Sequence, residues 1–238
     1  VPEATVVQLN KKDRNDRLVG RISKGAFAPH YKRAEIDGSG VLAGRNLEIV
    51  WVSDFVELFF LHIQGSGKIQ LPDGRIMQVG FAQSNGHPYR SIANYLIQSG
   101  KLSKNEHTQQ AIKKYLWEHP EEIAAIFNFN ERYVFFRVLD YGPLGALNIP
   151  ITGGRTIASD LELFPKGALA LIKARKPLIY MDNKLSWMPF SRFVLNQDTG
   201  AAITGAGRID LFCGSGNDAE EVAGRLKEAG VLYFLIKK

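Results

Sequence analysis

Gln197-Asp198-Thr199-Gly200-Ala201-Ala202-Ile203-Thr204-Gly205, continued by Gly207-Arg208-Ile209-Asp210-Leu211-Phe212 and Gly214-Ser215-Gly216, is the stretch on which the fold turns. Glycine lets a backbone turn sharply and come close to a ligand. Two aspartates set among such turns can therefore be presented at the floor of a cleft. Read as a strand, Arg208 to Phe212 places Arg208, Asp210 and Phe212 on one face and Ile209, Leu211 and Cys213 on the other. The aliphatic face goes inward, which turns Asp210 the opposite way. Spacing alone leaves open a plainer reading, in which Asp198 and Asp210 only accept backbone hydrogen bonds in turns. Strands disfavour aspartate, so that reading fits Asp210 less well than Asp198. Asp160, ahead of Phe164-Pro165-Lys166-Gly167, reads first as a residue that orders a turn.

Around this stretch the chain is mostly β. Short strands are expected near Ile149, over Leu169 to Lys173, Arg192 to Asn196, Arg208 to Phe212 and Leu232 to Ile236, with the turn-rich spacing of a small barrel. One helix, Asp218 to Ala229, interrupts them, with acids in its first turn, Val222 and Leu226 inward and Gly230 as its stop. Upstream, the Gly- and Pro-bearing run Asp140 to Pro150 marks a domain boundary, giving residues 1–139 and 140–238.

The first domain mixes both element types. Thr5 to Leu9 is a candidate strand in what otherwise reads as an exposed arm of some forty residues. Leu47 to Val52 is β-rich, and the apolar run Phe55 to Ile63 reads as helix before strand, although periodicity alone does not separate the two. Lys68 to Leu71 and Arg75 to Phe81, joined by Pro72-Asp73-Gly74, form a hairpin signal, because Asp-Gly supplies the backbone angles of a tight turn. A helix over Ile92 to Ile97 stops at Gly100; a second opens on a Ser103/Glu106 capping box and carries Ile112, Tyr115 and Leu116; Pro120 opens a third through Phe127. Tyr133 to Val138 reads as the closing strand, and Trp51, Trp117 and Trp187 read as core.

With 238 residues, 45% of them hydrophobic, the chain can bury a sizeable core, and no apolar run is long enough to cross a bilayer. No secretory-signal pattern occurs within it. The single cysteine, Cys213, excludes an internal disulfide and a cysteine-based zinc site. A formal charge of +6 favours polyanions, whether nucleic acid, an anionic membrane or a carboxylate-bearing polymer. The densest basic cluster, Lys11, Lys12, Arg14 and Arg17, is broken by Asp13 and Asp16 and reads as a solvated loop rather than a nucleic-acid patch.

Ser159-Asp160 through Pro165-Lys166-Gly167, then Asp198-Thr199-Gly200, then Arg208-Ile209-Asp210, resembles the three-aspartate (3D) domain of cell-wall enzymes. Glu48-Ile49-Val50-Trp51, Phe59-Phe60-Leu61-His62-Ile63-Gln64-Gly65-Ser66-Gly67, Asn85-Gly86-His87-Pro88-Tyr89-Arg90-Ser91-Ile92 and Tyr133-Val134-Phe135-Phe136 are similar to the membrane-bound lytic murein transglycosylase A family, in order from about Arg33 to the end. The resemblance implies a mainly β fold with some α: a double-psi β-barrel carrying the 3D domain, an inserted α+β domain, and a substrate groove separating them. Residues 1–139 would be the inserted domain with its arm, and 140–238 the C-terminal portion of the barrel. The family's earlier segment, which supplies the first half of the barrel and a Gly-Tyr-Tyr-type strand, has no counterpart in these residues, nor has its lipid-attachment cysteine.

The reaction implied is cleavage of the β-1,4 bond between N-acetylmuramic acid and N-acetylglucosamine of peptidoglycan, leaving 1,6-anhydromuramic ends. Ordinary glycosidases need two carboxyl groups. Here the nucleophile is the sugar's own 6-hydroxyl, so one group can donate a proton and then take one back. The family's catalytic acid falls on Asp210 and its supporting acid on Asp198; no metal or cofactor is required. The first step calls for a protonated Asp210, hence partial burial or a neighbouring acid such as Asp198. Substrate contacts are expected from Gln64, Gly65, Ser66, Gly67, Asn85, Gly86, His87, Tyr89, Arg90, Asp160, Thr199 and Gly200. Tyr89 would stack on a sugar, Arg90 would meet peptide carboxylates or a local acid, and His87 lacks a partner at metal-ligand spacing. The implied partner is the glycan strand, with no nucleic acid and no transmembrane segment, a monomer at the periplasmic face of the outer membrane with any lipid anchor outside these residues. Two alternatives remain: a peptidoglycan-binding module without turnover, and an aspartic protease using Asp198-Thr199-Gly200, which lacks a second such triplet.

Overall fold

The computed structural model describes residues 5–8, 17–103, 108–179 and 185–237. The basic cluster at Lys11, Lys12 and Arg14 and the acid of the Ser103/Glu106 capping box lie outside them. The chain divides into two compact units, Val1–Asp140 and Tyr141–Lys238.

In the first unit, β1 (Thr5–Gln8), β2 (Arg17–Ser23) and β3 (Ala26–Pro29) form an antiparallel sheet in that order. The expected exposed arm is therefore corrected over residues 17–38: two strands and a π-helical turn (Ala34–Gly38) occupy it, and His30 and Arg33 are buried. Charge and glycine in the sequence concealed this, because the segment's buried groups are themselves polar. A second sheet runs β4 (Ser66–Gln70), β5 (Ile76–Ser84), β6 (Val134–Leu139), all antiparallel. The Asp-Gly turn closes β4 to β5 as expected, with Asp73 Oδ1 accepting from the Arg75 N–H and Gly74 at φ 83°.

The run that periodicity left ambiguous is helix α1 (Phe55–Gln64): Asp54 caps it by accepting from Val56 and Glu57 N–H, and Gly65 ends it in the left-handed conformation. α2 (Ile92–Gln98) is capped by Ser91, α3 (Gln109–Glu118) by Thr108, and α4 (Ile123–Phe129) follows a 3-10 turn at Pro120. These helices pack Val56, Phe59, Ile92, Leu96, Ile112, Leu116, Ile126 and Phe127 into one core, and Phe59 stacks on Phe127 at 4.0 Å. Two tryptophans depart from expectation: Trp51 is 86% exposed and Trp117 52%. Leu47 to Val52 takes up no regular structure, so Trp51 has no sheet to pack into.

The second unit is one mixed sheet ordered β10 (Asp210–Leu211), β7 (Thr156–Ala158), β9 (Leu185–Asp198), β8 (Leu169–Ile179), β11 (Val231–Phe234). β8 and β9 pair antiparallel from Leu169↔Leu195 to Ile179↔Leu185, a far longer ribbon than the two short segments expected. β7 and β9 run parallel. Ile157, Ala170, Ile172 and Val194 form the core, with Ile209, Leu211, Leu232 and Phe234 against it. The strand expected near Ile149 reduces to a single Leu144↔Pro150 bridge. Helix α5 (Asn217–Arg225) ends four residues early, and Val222 and Leu226, expected inward, are only half-buried.

Candidate functional site

Three strands of the second unit bring the acids together. Asp198 closes β9 opposite Ala158 of β7, and Ala158 lies opposite Asp210 of β10. Asp198 and Asp210 are thus two strand spacings apart, roughly 10 Å between backbones, and Asp160 follows two residues after their common neighbour. Ile209 and Leu211 pack inward while Asp210 is exposed, the face assignment that alternation requires.

The expectation at Asp210 is partial burial or a neighbouring acid. Its side chain is 48% exposed and its nearest charge is a cation: Arg208 Nε and Nη2 donate to Oδ1 and Oδ2, both at 3.0 Å. A two-residue offset along an extended strand puts both side chains on one face, so the pair is local. A third donation, from Arg208 Nη1 to the Ala202 carbonyl at 2.9 Å, ties the guanidinium to the loop before it.

Asp198 is the aspartate that burial perturbs. Removal from water pushes its carboxyl up from the ordinary value, against the N–H groups of Thr199 and Ala146, which favour the charged form. The Ala146 N–H donates to Oδ1 at 3.0 Å, bringing the domain-boundary segment onto the end of β9. Asp160 is held the other way: N–H groups of Gly205 and Glu162 point at its two oxygens, 2.8 and 3.0 Å away, and keep its carboxyl below the usual range. The turn-ordering reading of Asp160 is therefore what its hydrogen bonds describe, and it pins the 200–207 loop as well as its own turn. Thr199 Oγ1 donates to the Ser159 carbonyl at 2.9 Å. Ser159 Oγ donates to Asn196 Oδ1 at 2.7 Å, and Asn196 Nδ2 donates to the Pro165 carbonyl at 3.0 Å. Ser159 and Asn196 are fully buried, and this latch, which sequence reading missed, fixes the ends of β7 and β9 beside the acids. Gly200 contributes its carbonyl to the Ile203 N–H in the same turn.

In the first unit the expected sugar-contacting residues divide. Gln64 is exposed, Gly65 is the left-handed cap of α1, and Ser66 and Gly67 are strand residues of β4 paired with Gly80 and Val79. A Cβ at Gly67 would meet Leu61 Cδ1 at 2.5 Å, so that side chain would have to move aside.

Asn85 is a correction: at 1% exposure it is a structural knot out of a ligand's reach. Its Nδ2 donates to the Tyr31 and Glu131 carbonyls, both at 2.9 Å, while Oδ1 accepts from the Tyr133 N–H at 2.9 Å and the His87 N–H at 3.3 Å. Gly86 has φ 78° against the Val19 carbonyl. His87 Nε2 lies 2.8 Å from the His30 carbonyl and Nδ1 4.0 Å from Glu131, so it too is built into the scaffold. Arg90 reaches the local acid: Nη2 is 3.8 Å from Glu131 Oε2, and Lys32 is 2.8 Å from the same carboxylate. Lys32 chiefly holds Glu131 below the usual range. Tyr89 is half-buried.

A buried network of the first unit carried no sequence signal. Arg33, 3% exposed, donates to Asp37 at 3.1 Å and to the Asn130 and Arg132 carbonyls, with its guanidinium over the Phe59 and Tyr133 rings. Burial pushes Tyr133 up to about 12 and takes His62 down to about 3; His62 Nδ1 accepts the Val134 N–H at 3.2 Å. Among the described residues, no group of three or more His, Cys, Asp or Glu is placed to hold a metal ion, and no helix is long and apolar enough to cross a membrane.

Comparison with known proteins falls on the same two units. The MltA specific insert domain model matches residues 1–137, and the 3D domain model matches residues 155–236. Membrane-bound lytic murein transglycosylase A of Escherichia coli strain K12 is 32% identical over 206 residues, 85% of this chain and 55% of that protein. The chain thus spans about half the length of this curated relative. The crystal structure of membrane-bound lytic murein transglycosylase from Agrobacterium tumefaciens superposes with a TM-score of 0.84 at 33% identity, covering 98% of this chain and 65% of that one. That of E. coli MltA with bound chitohexaose gives 0.76 at 29% identity, covering 86% and 60%.

Proposed function

The chain belongs to the membrane-bound lytic murein transglycosylase A family, and from that premise we propose that it carries the acid–base centre of a peptidoglycan lytic transglycosylase. The bond broken is the β-1,4 link between N-acetylmuramic acid and N-acetylglucosamine, and the product is a 1,6-anhydromuramic end. Asp210 is the catalytic residue. Its proton passes to the leaving glycosidic oxygen as the C1–O bond opens; the muramic 6-hydroxyl oxygen then closes on C1, and its proton returns to the Asp210 carboxylate. Protons and bonds balance without water, which is how one carboxyl replaces the two of a hydrolase.

The observation that carries this reading is the row Asp198–Ala158–Asp210, with an exposed carboxylate and a half-buried one two strands apart at a single sheet end. The five-stranded sheet is consistent with half of a double-psi β-barrel. Glycan strands as substrate are supported by the chitohexaose complex of the E. coli relative. Envelope association is supported by the relatives' naming as membrane-bound, and action at the periplasmic face of the outer membrane, as a monomer, is the finer reading we adopt. Gln64, Ser66, Tyr89 and Arg90 are the first-unit side chains we assign to substrate contact. Purified peptidoglycan digested with the full-length protein should yield anhydro ends by mass spectrometry, and Asp210→Asn should abolish them. Reducing ends, or undiminished anhydro ends from the variant, would refute the assignment.

A further inference from the structure

Asp210, Arg208, Ala202, Gly205 and Asp160 form a continuous chain of contacts. Arg208 grips both oxygens of Asp210. The remaining guanidinium arm is fixed by the Ala202 carbonyl, in the loop between β9 and β10. That loop is pinned in turn where the Gly205 N–H donates to Asp160 Oδ2 at 2.8 Å, while Asp160 Oδ1 takes the Glu162 N–H at 3.0 Å. Each of these hydrogen bonds has a charged partner, the kind that is shortest and most directional, and the backbone from Ala202 to Gly205 joins them. A planar guanidinium held at three points fixes the plane of the carboxylate it binds, which a lysine ammonium does not.

We infer that Arg208 is a positioning residue for Asp210, and that Asp160 acts at one remove by holding the loop that holds Arg208. The inference rests on the reading of Asp210 as the acid and base. It separates the three aspartates: Asp210 moves the proton, Asp198 lies half-buried two strands away, and Asp160 sets the orientation of the clamp. Asp198 at the end of β9 and Asp160 after β7 lie at the same end of the sheet.

The test uses the full-length protein on purified peptidoglycan, with Arg208→Gln, Arg208→Lys, Asp160→Asn and the double variant Asp160→Asn/Arg208→Gln, each confirmed folded by its melting curve. Arg208→Gln should lower kcat about 10- to 100-fold, the scale on which catalytic groups lose rate when displaced by about an ångström, with KM little changed. Arg208→Lys should restore only a portion of kcat, because an ammonium keeps the charge but does not fix the plane of the carboxylate. Asp160→Asn, which cannot accept on both oxygens, should lower kcat alone yet add little to Arg208→Gln. Full kcat in Arg208→Lys, a loss confined to KM, or additive effects of Asp160 and Arg208 would overturn the inference. Asp210→Asn separates the two readings: if it retains turnover the underlying assignment fails, whereas if it is inactive while Arg208→Gln behaves as wild type, only the clamp fails.

Discussion

Replacing Asn85 by alanine decides between a sugar contact and a structural knot. The side chain is 1% exposed, and its amide joins three segments: Tyr31 before the π-helical turn, His87 after β5, and Glu131 to Tyr133 before β6. The Glu131 carbonyl also receives the Arg33 N–H, so it keeps a partner after truncation. The Tyr31 carbonyl, the Tyr133 N–H and the His87 N–H lose theirs. Stranding a buried polar group costs about 1–3 kcal/mol, so the two held at 2.9 Å together cost about 2–6 kcal/mol. That is a large fraction of the roughly 5–15 kcal/mol that holds a domain folded. At roughly 2–4 °C per kcal/mol for chains of this size, the first unit's melting temperature should fall by about 10 °C. Circular dichroism melts, with amide exchange at the start of β6, measure it. Asn85→Asp should not rescue, because it sets a carboxylate against two carbonyl oxygens. A variant that melts as wild type but binds glycan more weakly would show that the amide serves the substrate instead.

Two other substitutions probe buried ionisable groups. Burial raises Asp198, so the folded state binds its proton more tightly than the unfolded chain, and wild-type stability falls as pH rises from the ordinary carboxylate value through the raised one. Asp198→Asn should therefore be more stable than wild type in urea at pH 7, with the gap closing near pH 3, while its turnover drops; a variant less stable at pH 7 would contradict the burial reading. His62 is displaced the other way, to about 3, so the unfolded chain takes up its proton first and stability is lost as pH falls below about 6.5, at up to about 1.4 kcal/mol per unit from this group. His62→Asn, which keeps an acceptor near the Val134 N–H, should flatten the pH 4 to 6 dependence of urea unfolding; an unchanged slope would mean that His62 is not the group responsible.

What could be read from residue order was local. The Asp-Gly hairpin, the Gly100 stop and the alternation of Ile209, Asp210 and Leu211 depend on a few neighbours each, and they stand where patterning puts them. What escaped depends on partners distant in sequence. Nothing near Arg33 announces that Asn130, Arg132 and Tyr133, about a hundred residues later, will receive it, so a charged segment read as an arm. Asn85, taken for a sugar ligand because amides pair with hydroxyls, is used up by backbone groups for the same chemical reason. The long β8–β9 ribbon was cut short by Arg175-Lys176-Pro177, residues that disfavour strands by propensity but are tolerated where a ribbon extends beyond its sheet. The Arg208 clamp was the most legible omission. Arg208 and Asp210 were assigned to one strand face, and a cation two residues from an acid on that face had nowhere nearer to go.

The way β10 is seated has a bearing on how such a chain tolerates insertions and deletions. Only Asp210 and Leu211 pair with β7, yet a slip of one residue would drive the aspartate into the Ile157 core and lift an aliphatic side chain to the surface. The seat therefore has two settings and nothing between them, and the wrong one is heavily disfavoured. Length changes between Ala201 and Gly207 would alter how firmly the guanidinium is steadied but leave the strand in its slot. A single residue gained between Ile209 and Leu211 would break the alternation that keeps Asp210 on the exposed face.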